Sequence, residues 1–203
     1  MDLFNFDPAT IFSFFLMLFG EIIMGLLLDV VVRFLFAAVQ TAGHYIGFSM
    51  GFAMMNVLDP LTGTQEPITG HVLYQTTMLV FLSLNGHLFL LQALGESFSL
   101  VPPGGLLINP ALGEHILAFA GHIFTLALKI AAPVIGSLFL VDLALALISR
   151  AAPQMNVLFV GFPLKIGVGF LFLVLIFTTL AKYVEEYIVE MGGIFHLILK
   201  SSS

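Results

Sequence analysis

An all-α membrane protein of long, broken helices is the fold class that this sequence predicts, and three observations predict it. Hydrophobic residues make up 60% of the chain and charged residues only 9%, with a mean hydropathy of +1.11. That leaves too little polar surface for a water-soluble globule of 203 residues. Several apolar runs are long enough to cross a bilayer. Between them stand clusters of Pro, Gly, Asn and Asp that end or bend helices. A net charge of −6 with scattered Lys and Arg provides no basic face for nucleic acid. The absence of Cys excludes disulfides and thiolate metal sites. Without Trp, interfacial anchoring falls to Tyr45, Tyr74, Tyr183 and Tyr187. The acidic start, Met1-Asp-Leu-Phe-Asn-Phe-Asp-Pro8, lacks the basic region of a cleavable signal, so internal apolar segments are expected to direct insertion. The whole chain, 1–203, reads as a single membrane domain.

The first apolar run, Ile11 to Val32, spans a bilayer and closes on Asp29 and Arg33. Their spacing of four puts acid one turn before base, the favourable order for a helical ion pair at a membrane edge. From Phe34 the run continues to Leu58, which is too long for one crossing, so at least two helices are expected within 11–58. Gly43, Gly47 and Gly51 recur every four residues and form one smooth ridge for close helix packing. Phe48, Met50, Phe52, Met54 and Met55 surround the ridge with deformable apolar bulk. Asn56 to Gly63, with Asp59-Pro60 as a turn start, should stop the helix.

Next, Val72 to Leu94 forms a helical segment (71–95) interrupted at Ser83-Leu-Asn-Gly-His87, where Asn85-Gly86 marks a kink or the tip of a helical hairpin. Glu96 to Gly113, centred on Val101-Pro-Pro-Gly-Gly105, reads as a loop. The run 116–148 carries Lys129, Pro133, Gly136 and Asp142, and Pro133 should kink it or divide it into a hairpin. Ser149 to Asn156 is a polar break. The last segment, 157–203, joins a final span to an amphipathic tail in which Lys182, Glu185, Glu186 and Glu190 oppose Ile188, Met191, Phe195 and Leu199.

The chemistry-bearing residues do not converge. His44, His71, His87, His115, His122 and His196 lack the spacing of a helical metal site. Glu114, His115 and His122 come nearest and read as structural, so no metal or cofactor is expected. Neither a catalytic triad nor a phosphate loop is present, and the chain reads as a non-enzyme. Lys129 and Asp142 stand out because charge within an apolar segment is costly and marks a pathway or a partner. They are expected to pair with each other or with another subunit. A small secondary transporter or channel built on this pair is the alternative reading, since broken helices form midplane sites.

Longer motifs carry a resemblance. Arg33-Phe-Leu-Phe-Ala-Ala-Val-Gln-Thr-Ala-Gly43, Met50-Gly-Phe-Ala-Met54, Asn56-Val-Leu-Asp-Pro-Leu-Thr-Gly63, Leu84-Asn-Gly-His87 and the stretch from Ser149 to Lys165 closely resemble the FliR family of flagellar export-gate proteins. The resemblance runs from Gly20 almost to the C-terminus and is weaker to the virulence-secretion subunits. Family members carry further apolar segments before the position of Gly20-Glu21, so the N-terminal part reads as shortened. The resemblance implies a bacterial inner-membrane subunit of the flagellar basal body that joins FliP and FliQ homologues, with FlhB and FlhA homologues as further partners, to pass unfolded flagellar proteins. It also implies that Gly47, Phe48, Met50, Gly51, Phe52, Met54, Met55, Asn56, Asp59 and Pro60 belong to a loop that plugs the closed pore.

Overall fold

A computed structural model describes residues 11–52, 67–100 and 110–201. The described residues form five α-helices and no strand: α1 (Ile11–Met50), α2 (Ile68–Ser83), α3 (Gly86–Leu100), α4 (Pro110–Ala151) and α5 (Val157–Ser201). Three of them, α1, α4 and α5, are long and apolar enough to cross a membrane, and α2 with α3 makes a bent pair of similar character.

Where two helices were expected before Leu58, α1 is one helix of 40 residues. At 1.5 Å per residue it extends about 60 Å, roughly twice a hydrocarbon core. The bilayer therefore does not set its length. No proline lies between Ile11 and Met50, and glycine is tolerated in apolar helices. In the same way α4 continues through Pro133 as a single helix. Pro133 is exposed, so its ring is accommodated without disturbing the packed side.

The expected loop from Glu96 to Gly113 is narrower in the structure, because α3 extends to Leu100 and α4 begins at Pro110. Gln92 donates to the Glu96 carboxylate at 3.0 Å, while the Ser97 and Ser99 hydroxyls each donate to the carbonyl three residues back at 2.7 Å. Those polar side chains are thus satisfied inside the helix. Pro110 occupies the first helical position, where its missing N–H costs nothing. Between α2 and α3, Asn85 takes a left-handed φ of 59°, and its carbonyl accepts from the amides of Leu88 and Phe89. The Asn-Gly pair thus breaks one helix and starts the next.

The chain folds as two compact units, and the long helices contribute to both. One comprises Met1–Leu35, Phe81–His122 and Glu185–Ser203. Its described part centres on Tyr187, whose buried hydroxyl donates to the Val31 carbonyl at 2.6 Å. The Tyr187 ring lies 5.4 Å from that of Phe119, which in turn meets Phe34. Nearby, His122 Nδ1 stands 3.0 Å from the Glu190 carboxylate. Asp29 and Arg33 form the ion pair that their spacing predicts, at 2.5 Å.

The other unit comprises Phe36–Val80 and Ile123–Val184. Its α1 portion buries Ala38, Val39, Ala42, Ile46 and Met50, and its α4 portion buries Ala127, Ile130, Ala131, Val134 and Leu138. Such small and branched residues let helices approach closely, which drives association where burial from water does not.

Candidate functional site

Glycine decides how the end of α1 is built. An ideal Cβ on Gly43 would lie 2.3 Å from the Gly70 Cα, and one on Gly47 would lie 2.5 Å from the Pro67 ring and 2.6 Å from the Thr69 hydroxyl. Only glycine permits this approach of α1 to the start of α2. The contact is tied by the buried Thr69 hydroxyl, which donates to the Gly43 carbonyl at 2.8 Å. Gly51 does a different job from the other two. It has φ +92° and follows the last residue of the helix. The Phe52 amide donates to the Gly47 carbonyl and the Gly51 amide to the Phe48 carbonyl, each at 3.0 Å. This paired pattern is the Schellman motif, in which glycine in the left-handed region closes a helix C-terminus. The helix therefore stops at Met50, ahead of the expected stop at Asn56 to Gly63, because Gly51 caps it.

The side chains around this cap diverge. Phe48 is 72% exposed, whereas Met50 is fully buried. Met50 packs so closely on Gly169 of α5 that an added Cβ there would meet its sulfur at 2.8 Å. Gly51 faces the Phe162 ring, which a Cβ would meet at 2.8 Å. Met54, Met55, Asn56, Asp59 and Pro60 lie outside the described residues.

Phe162 also lines a cleft of about 330 Å³ between α4 and α5, walled by Leu145, Val157, Leu158 and Gly161 and floored by Asp142 and Lys165. The Lys165 ammonium stands 2.5 Å from the Asp142 carboxylate, with the lysine side chain only 21% exposed. This corrects the expected pairing of Asp142 with Lys129. Lys129 and Asp142 share α4, and 13 intervening rises of 1.5 Å put them about 20 Å apart. Lys165 is reached instead because Asp142 and Lys165 stand nearly the same distance on either side of the Ala152–Asn156 turn. Charges of opposite sign at nearly equal distances on either side of a break were the signal that could have found the pair. Lys165, Gly169, Thr69 and Pro67 are the site residues that sequence reasoning missed. Among the described residues no three His, Asp or Glu side chains gather as metal ligands.

Residues 3–191 match the family described as bacterial export proteins, family 1. The chain belongs to that family. It is a membrane protein of the bacterial type III export apparatus, with helices suited to the inner membrane. It is 40% identical over 166 residues to the flagellar biosynthetic protein FliR of Bacillus subtilis (strain 168), covering 79% of this chain and 63% of that protein. With FliR of Escherichia coli (strain K12) it shares 33% identity over 187 residues, 91% of this chain and 72% of the relative. The Yop proteins translocation protein T of Yersinia pestis is 35% identical over 168 residues, 81% of this chain and 64% of that protein.

Proposed function

We propose that the chain is a structural, non-catalytic subunit of the flagellar type III export gate, joining FliP and FliQ homologues and contacting FlhB and FlhA homologues. In this reading, the stretch that follows the Gly51 cap closes the pore until an unfolded flagellar protein passes. The observation that supports it best is the division of labour at that cap. Gly43, Gly47, Met50 and Gly51 hold the helix end in place, while the Phe48 ring is displayed outward. Apolar rings and thioethers across a narrow passage exclude water and ions by dewetting, and flexible side chains part for a polypeptide and close behind it.

Replacing Phe48, Phe52, Met54 and Met55 together by Ala therefore gives a gate that assembles but leaks. Small-ion conductance in planar bilayers reads the leak, and the yield of detergent-extracted complex reads assembly. A variant that assembles, exports and conducts no more than the parent rules the plug out. The transporter reading loses its Lys129–Asp142 pair, because Asp142 is engaged by Lys165. Proton-coupled solute uptake by purified chain in vesicles would restore it.

A further inference from the structure

Lys129 projects from the exposed side of α4, opposite the face on which Ala127, Ile130, Ala131, Val134 and Leu138 are buried. Among the described residues no carboxylate pairs with it. Between Glu114 and Asp142 it is the sole Asp, Glu, Lys or Arg, and it stands at the middle of that run. A crossing takes about 20 residues, so one that lies within the run leaves Lys129 at least about five residues, or about 7 Å, from its nearer edge. A four-carbon stem reaches the nearer edge by snorkelling only where the crossing is shifted fully toward Glu114. The same residue bears a second polar demand. Pro133 has no N–H to give the carbonyl four residues earlier, so the Lys129 carbonyl lacks its regular helical donor. Around both groups Thr125, Ala132, Pro133 and Gly136 are exposed, and nothing lies within 4 Å of a Cβ built on Gly136. Another helix is thus free to come close.

We propose that this face of α4 docks a membrane helix of a different polypeptide, which presents an aspartate or glutamate to Lys129. A bare cation in an apolar layer is answered by opposite charge, and the small neighbours allow the approach it requires. A second copy of this chain does not fit a two-fold contact centred here, because that symmetry sets this stretch of α4 on itself, and between Glu114 and Asp142 it holds no Asp or Glu to answer Lys129. The inference uses the subunit reading above only in supplying a neighbour. It makes no use of the plug.

The test is zero-length cross-linking. A membrane-permeant carbodiimide is applied to native membranes holding the full assembly, where it condenses a lysine amine with a touching carboxylate to an amide and takes up the water as a urea. The expected product joins the Lys129 peptide to an Asp or Glu within a membrane helix of another protein and is missing from Lys129→Met. Recovery of the assembly should fall roughly tenfold in Lys129→Met, stay near the parent in Lys129→Arg, and return when Lys129→Glu is combined with lysine at the linked acid. A link to an acid of this chain or of a second copy, no link in an assembled complex, or full recovery of Lys129→Met overturns the proposal. The last result places Lys129 at lipid headgroups. A linked partner foreign to protein export leaves this inference standing and removes the proposed function. An assembly that retains FliP and FliQ homologues without the link does the reverse.

Discussion

Gly43, Gly47 and Gly51 are identical residues at equal spacing, yet substitution should separate them. Gly43→Ala places a methyl against the Gly70 backbone, which has no side chain to move aside. Thermal stability in detergent should fall by about 2 kcal/mol or more, the range expected for overpacking. Gly51→Ala meets the edge of the Phe162 ring, a movable group, but must also hold φ +92°. The expected loss is about 1 kcal/mol from backbone strain. Equal losses in the two melts would refute the separate roles. Reversing Asp142 and Lys165 together (Asp142→Lys with Lys165→Asp) should recover most of the complex yield lost on reversing either alone, because a pair 2.5 Å apart is local. Reversal of Lys129 should give no such rescue with Asp142. The glycine spacing was legible as a packing device, but its third member is a cap. Periodicity alone cannot tell a ridge glycine from one in the left-handed region, because both follow the same spacing.

At the scale of elements, breaks were more legible than lengths. Asn85-Gly86 and Ser149 to Asn156 fall where the helices change, since turn chemistry is local and survives in apolar surroundings. The continuity of α1 and of α4 through Pro133 was not legible, because bilayer thickness suggested an upper limit that a helix packed on protein does not obey. The C-terminal segment reads on as part of α5, where Val184, Tyr187, Met191 and Phe195 are buried while Glu185, Glu186 and Glu190 are exposed. That charged stripe was visible from its helical period. Tyr187 was read as a membrane-interface anchor, but its hydroxyl instead binds the Val31 carbonyl. Tyr187→Phe should lower stability by about 1 kcal/mol, the net worth of one such bond. Denaturation of the reconstituted protein measures it, and an unchanged midpoint would mean that the ring alone carries the contact between α1 and α5.

For the whole molecule, the apolar side chains left exposed on the two units set the main expectation. Phe14, Phe15 and Phe19 on α1, Leu117 and Phe124 on α4, and Phe159 and Val189 on α5 are each more than half exposed. Lipid or neighbouring subunits must cover them. Expressed alone, the chain should be extracted only by detergent and turn over quickly, and co-expression with FliP and FliQ homologues should raise its half-life several-fold in a pulse-chase. An equal half-life with and without them would mean that lipid suffices. The Asp142–Lys165 contact also bears on biogenesis. Each residue alone in an inserting helix would add to the cost of leaving the translocon for lipid, by up to about 3 kcal/mol at the bilayer centre. Joined across the short turn from Ala152 to Asn156, they can enter as one nearly neutral hairpin, so α4 and α5 are expected to partition together. A nascent chain stopped just before Lys165 should then remain accessible to aqueous labels, and one lengthened past it should become protected.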